Sequence, residues 1–149
     1  LIVTYPTREQ ERRILDHMSS TSPDRTIEPV MEPGAIEQAR RIVDLIYMDD
    51  KIKDYIVDLV VATRDPARFG VPASGLIQYG ASPRATIYLT IAARAQAFLA
   101  GRGYVVPQDV KDIAMPILRH RVILTYEAEA EEKTADEVVR AVLDHVKVT

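Results

Sequence analysis

Apolar residues along most of this chain recur at three- and four-residue spacing, the period of helices that bury one face. Thr7-x-x-Gln10 has the form of a capping box and predicts a short helix to about Met18. Pro33 suits the first position of a second helix, with Ile36, Ala39, Ile42, Val43 and Ile46 on one face. Asp49 or Asp50 can cap a third, in which Ile52, Ile56, Leu59, Val60 and Thr63 repeat, stopped at Asp65-Pro66. Ser82-Pro83 opens a fourth helix, with Ile87 or Tyr88, Ile91, Ala95, Phe98 and Leu99 as its expected buried stripe and Gly101 as its end. A fifth runs from about Pro107 to His120, with Val110, Ile113, Ala114, Ile117 and Leu118 inward, and Pro116 should kink or divide it. Thr134-x-x-Glu137 is a second capping box, opening a last helix to about Val146.

The intervals carry the remaining signals. Residues 19–30, rich in Ser, Thr, Pro and Asp, read as a loop. Residues 66–81 form a long loop of the kind that often carries function. Arg121 to Tyr126 reads as a short extended piece, followed by an acidic loop containing Glu127, Glu129, Glu131 and Glu132. The Tyr and Phe residues fall mostly on apolar stripes and are expected in the core. At the start, Leu1 to Tyr5 is a β-type run that opens abruptly and resembles a strand cut from a sheet, so an excised piece of a longer protein is expected. The fold class is all-α, a helical bundle of about four to six helices with a short strand at the N-terminal margin.

Composition narrows the functional classes. With 149 residues the chain can bury roughly 70% of the surface it exposes when unfolded. Its 47% hydrophobic and 28% charged residues are those of an ordinary globular domain. A net charge of -3 argues against a strongly nucleic-acid-binding surface. The chain has no cysteine, hence no disulfide framework, thiol nucleophile or cysteine-based zinc cluster. No apolar run approaches membrane-spanning length, so no membrane partner is expected.

Three stretches suggest phosphate chemistry. Gly75-Leu-Ile-Gln-Tyr-Gly80-Ala-Ser82 has the spacing of a P-loop, but Ala81 stands where that loop needs lysine and Pro83 removes an amide. Leu45-Ile-Tyr-Met48-Asp49-Asp50 imitates a strand ending in metal-binding acids, yet it continues a helical stripe and reads better as a helix end followed by an N-cap aspartate. Arg84 differs from both. At the second position of its helix a cation faces the positive end of the macrodipole at a cost of about 0.3–1 kcal/mol. The placement makes sense if an anion sits in front of both. His17, His120 and His145 share no metal-ligand spacing, and no metal site is expected.

Gly80-Ala-Ser-Pro-Arg-Ala85 resembles the sensor 2 motif of the MoxR-type AAA+ ATPases. The similarity extends to Tyr47–Asp50, Tyr55–Val60, Tyr104-Val-Val-Pro-Gln-Asp-Val110 and Ile117-Leu-Arg-His-Arg-Val-Ile-Leu124, nearly the whole chain. The resemblance implies the C-terminal helical lid of such an ATPase. Residues 1–30 would be the end of the AAA+ core and a linker, and residues 31–149 the lid. Arg84 would be the sensor 2 arginine, catalytic in ATP hydrolysis, with Ala81 and Ser82 beside it in contact with nucleotide. ATP and Mg2+ would belong to the full-length protein, and this chain alone, lacking both Walker motifs, would not hydrolyse ATP. Implied partners are its own AAA+ core domain, neighbouring subunits of a hexameric ring, and a von Willebrand A-type protein in chaperone-like remodelling or maturation of clients, in a cytoplasmic setting. Tyr79 is a candidate lining residue of the nucleotide pocket. Val106 departs from the family's threonine before Pro107 and weakens that helix start. Arg119, His120 and Arg121 read either as cations at a helix C-terminus or as a contact to a neighbouring subunit. A stand-alone helical interaction module without nucleotide remains an alternative, as does a lid from a DNA-acting ATPase, which the net charge disfavours.

Overall fold

The computed structural model describes residues 3–21 and 27–148. The chain divides into two units, Leu1–Ile36 and Glu37–Thr149. In the first, α1 (Arg8–Met18) begins at the expected capping box: Gln10 N–H donates to Thr7 Oγ1 at 3.3 Å and Thr7 N–H to Gln10 Oε1 at 2.8 Å. The expected strand at Leu1 to Tyr5 is not found where it can be seen. Leu1 and Ile2 lie outside the described residues, and residues 3–7 have no regular structure, with Val3 and Tyr5 fully exposed. A strand is held by a neighbour's hydrogen bonds, and among the described residues none pairs with this segment. Of the expected loop at 19–30, residues 22–26 lie outside the described set, and residues 19–21 and 27–30 carry no helix or strand.

Helix α2 (Pro33–Leu45) starts at Pro33 as expected, and its stripe is only half realised. Ala39 and Val43 are partly buried, whereas Ile36 and Ile42 stay about half exposed. Beyond the helix, Ile46 and Met48 turn inward while Tyr47 forms a one-residue parallel bridge with Tyr104. Tyr47 N–H donates to the Gly103 carbonyl and Val105 N–H to the Tyr47 carbonyl, both at 2.9 Å. Asp49 then caps α3 (Asp50–Ala62) by accepting from Lys51 N–H at 3.0 Å. The acidic pair is thus a helix start, as the apolar spacing suggested.

The core of the second unit lies between α3, α4 (Pro83–Leu99), α5 (Pro107–Leu118) and α7 (Ala135–His145). Tyr55, Ile56, Leu59 and Val60 of α3, Leu89 of α4, Val110 and Leu118 of α5, and Val139 and Val142 of α7 are its largest wholly buried side chains. The buried stripe of α4 differs from the expected one. Ala85, Leu89, Ala93 and Ala97 face the core, while Ile87, Tyr88, Ile91 and Leu99 are exposed. Alanines at four-residue spacing let α3 and α5 approach the α4 backbone closely, and that packing decides the face. At its end Gly101 takes φ 70°, Gly101 N–H donates to the Phe98 carbonyl and Arg102 N–H to the Ala97 carbonyl, both at 2.9 Å. This is the Schellman closure, which needs a residue at ease in the left-handed region.

Further departures have local causes. Helix α5 runs unbroken to Leu118, because Pro116 lies in its last turn, where few hydrogen bonds remain to be lost. The long loop after α3 holds a 3-10 turn, Ala67–Phe69, and a strand, β1 (Ile77–Tyr79). That strand pairs antiparallel with β2 (Ile123–Leu124), which lies in the expected extended piece. The expected acidic loop is a short helix, α6 (Tyr126–Ala130), capped by Thr125, whose hydroxyl accepts from Ala128 N–H at 3.3 Å. Seven α-helices therefore stand among the described residues where four to six were expected. Of the 7 tyrosines only Tyr55 is in the core; the other six are exposed, where water can satisfy a phenol hydroxyl and, for Tyr47, Asp49 Oδ2 accepts from it at 3.3 Å. Tyr55 shows the alternative, as its buried hydroxyl finds no partner and burial pushes its pKa up.

Candidate functional site

The Gly80–Ala85 turn is fixed by the end of α3. Thr63 is wholly buried; its hydroxyl donates to the Val60 carbonyl at 2.7 Å and accepts from Ala81 N–H at 2.9 Å. Gly80 lies so close that a Cβ there would meet the Thr63 carbonyl oxygen at 2.3 Å and its carbon at 2.6 Å. Only glycine allows that approach. The P-loop spacing therefore has another origin. Gly75, at φ 79°, turns the chain into β1, and Gly80 admits the backbone of α3. With its amide given to Thr63, Ala81 offers no N–H to a phosphate.

The chain emerges from that anchor directly into α4. Ser82 occupies the N-cap at φ -73° and ψ 166°, is exposed, and makes no capping hydrogen bond with its side chain. Pro83 supplies the preset φ of the first helical position, and Ala85 N–H donates to the Ser82 carbonyl at 2.8 Å. Arg84 stands between them, exposed at the second position. Among the described residues no carboxylate pairs with it, in a chain with 22 acidic residues. Its charge and the free end of the helix thus both lie at the exposed start of α4. Of the sequence-predicted site, Ser82 and Arg84 lie together there and Ala81 lies beneath as the anchor. Tyr79, another candidate, is exposed at the end of β1, two residues before Ala81.

The Arg119-His120-Arg121 cluster splits by role. Arg119 binds Asp136 of α7 at 3.0 Å and ties α5 to the last helix. Arg121 donates to the Ile117 carbonyl, the helix-end arrangement expected of a cation there, and contacts His120 Nε2. Its guanidinium also lies over the ring of Tyr88, 5.2 Å from the centroid. Among the described residues no carboxylate is paired with Arg121.

A buried ion pair escaped the sequence reading. Asp109 accepts from both terminal nitrogens of Arg102, one at 2.9 Å, and from Val106 N–H at 2.8 Å. Arg102 also donates to the Tyr104 carbonyl at 3.0 Å. Burial alone would raise the Asp109 pKa, but the hydrogen bonds from Arg102 and Val106 N–H and the Arg102 charge outweigh it and hold the carboxyl below the ordinary 3.8. Val106 cannot cap α5 as threonine would, and Asp109 instead reaches back to its amide. The reach-back half of a capping box, an acid three residues after the N-cap, was the available signal.

The cleft lined by Pro72, Leu76, Lys133, Glu137, Val138 and Ala141, about 110 Å³, contains none of the predicted site residues. Among the described residues no group of three His, Cys, Asp or Glu side chains converges to hold a metal. No helix among them is long and apolar enough to cross a membrane. The groups that face outward here can bind an anion, and a second surface would have to supply the rest of a site.

Comparisons with known proteins agree on one kinship. Residues 73–142 match the AAA lid domain family. The chain is 37% identical over 145 residues to the chaperone MoxR1 of Mycobacterium tuberculosis, covering 97% of this chain and 38% of that protein. Against the protein MoxR of Paracoccus denitrificans it is 39% identical over 98 residues, covering 62% of this chain and 28% of that one. A crystal structure of a candidate ATPase from Cytophaga hutchinsonii superposes with a TM-score of 0.87 at 35% identity, covering 99% of this chain and 45% of that one. The chain spans less than half the length of each of these relatives.

Proposed function

Since this chain carries the helical lid of the MoxR-type AAA+ ATPases, we propose that it closes over a nucleotide-binding core and presents Arg84 as the sensor 2 arginine to the terminal phosphate of ATP held there. The observation that carries this is the position of Arg84: exposed, at the N-terminus of α4, with no carboxylate partner among the described residues. A cation kept unpaired against a helix macrodipole is stabilised when an anion arrives. In this reading residues 1–30 are the end of the core and the linker, and residues 31–149 the lid.

ATP would supply the anhydride to be cleaved and Mg2+ would offset the charge of its phosphates; among the described residues no cluster of metal ligands converges, so in this reading the core holds the metal. Arg84 would donate to the oxygens of the terminal phosphoryl group as their charge develops. Ser82, with its hydroxyl uncommitted to capping, would donate beside it. Ala81 would hold the turn through Thr63, so that Arg84 moves with the lid as a rigid body. Loss of the terminal phosphate would release the lid and couple hydrolysis to motion. The same reading includes a hexameric ring, a von Willebrand A-type partner, and chaperone-like remodelling or maturation of client proteins in the cytoplasm.

The test uses the ATPase chain that joins this lid to its core. Arg84→Ala should lower kcat about 100-fold, the scale of losing one preorganised donor, and change stability by less than about 0.5 kcal/mol, as an exposed position predicts. Unchanged turnover would remove Arg84 from the mechanism.

A further inference from the structure

The fold brings Arg121 to the same face of α4 as Arg84. Residues 84 and 88 are one helical turn apart, with Cβ atoms about 5–6 Å from each other. Helical side chains lean toward the N-terminus, which inclines the Tyr88 ring toward the turn that carries Arg84. The Arg121 guanidinium sits on that ring at 5.2 Å from its centroid. It is held there by its bond to the Ile117 carbonyl, and Arg121 is itself partly buried. A guanidinium has five N–H donors, so several remain available to a ligand. Arg119, two residues away, is by contrast committed to Asp136.

We propose that Arg121, positioned on the Tyr88 ring, is a second cation of the Arg84 surface and grips the phosphate chain of a nucleoside di- or triphosphate. The inference rests on the proposed role of Arg84 and assigns the two arginines different tasks. Arg84, at the exposed tip of α4, acts on the terminal group as it reacts. Arg121, with its orientation fixed in advance by the ring and the helix end, contributes to binding in ground and transition states alike. Such uniform binding lowers KM and leaves kcat unchanged. Lysine would keep the charge but lose the planar stack on Tyr88.

The experiment is steady-state ATP hydrolysis and ADP binding by the joined core and lid. Arg121→Gln should raise KM for ATP about tenfold and the Kd for ADP about as much, with kcat within twofold of the parent. Tyr88→Leu should raise KM about threefold, and Tyr88→Phe, which keeps the aromatic face, should not. Arg121→Lys should fall between parent and Arg121→Gln. If Arg121→Gln proves unstable, the exposed Tyr88→Leu variant carries the test alone. Parent-like KM in Arg121→Gln, or in Tyr88→Leu where that variant stands alone, overturns the inference. Should Arg84→Ala lower kcat while Arg121→Gln and Tyr88→Leu change nothing, only the role of Arg121 fails. Should Arg84→Ala also change nothing, the reading beneath it fails.

Discussion

One hydroxyl holds the candidate site in place. Thr63 closes α3 onto the Val60 carbonyl and satisfies the buried Ala81 amide with the same oxygen. Valine has nearly the same shape, so Thr63→Val would leave that amide dry and unpaired. The expected loss is about 1–3 kcal/mol of unfolding free energy, read from urea denaturation, with Thr63→Ser recovering most of it; a variant as stable as the parent would show that the amide finds another partner. Arg84 itself was legible in the sequence, because a cation at the second position of a well-marked helix violates a local preference. Thr63 was not. Its partner lies 18 residues away, across the 3-10 turn and β1, and on the helical repeat it looked like an ordinary stripe residue. Gly80 was noticed for a spacing that suggested phosphate, whereas its necessity comes from the backbone of α3. Local rules find local anomalies; a contact closed by tertiary packing has no local trace.

Helix α4 makes the same point along a whole element. Its ends were legible because caps are written within a few residues: Ser82-Pro83 at the start, Gly101 at the finish. Its orientation was not. Apolar residues surround α4 on nearly every side, so a hydrophobic stripe can be drawn through Ile87 and Ile91 as readily as through Ala85 and Ala93. Packing selected the alanines because neighbouring helices approach closest where side chains are smallest. The choice is testable. Ala93, wholly buried, should resist enlargement, and Ala93→Leu should cost about 1–3 kcal/mol through overpacking. Ile91 is half exposed, and Ile91→Ala should stay within about 0.5 kcal/mol. Denaturation of both variants decides it, and the reverse order would mean that the other face is buried. The exposed face that results is the one bearing Arg84 and Tyr88, so the misread stripe and the candidate site have one cause.

Across the second unit, the all-α class followed from periodicity, whereas the β1–β2 ladder and α6 did not. Each is too short to show a period, and each depends on partners distant in sequence. The Arg102–Asp109 pair is of this kind, and it ties the α4–α5 connection to the start of α5. It also sets how the unit should respond to acid. The folded pKa of Asp109 lies below the ordinary 3.8, and that of Glu137, lowered by Thr134 N–H and the Thr134 hydroxyl, below 4.5. As pH falls past those ordinary values the unfolded chain takes up protons first, so unfolding becomes more favourable. The stabilisation from both groups is therefore complete above about pH 5 and is lost as pH drops through their folded values. Asp109→Asn should lower stability at pH 7 by about 2–3 kcal/mol, less than for a fully buried pair because Arg102 keeps a solvent-facing edge. It should also flatten the acid limb below pH 4, since a group that no longer titrates cannot drive it. Urea midpoints measured from pH 7 to pH 3 read both effects together. A parent chain that gains stability on acidification would reverse the sign and place Asp109 outside the interactions that hold the α4–α5 turn.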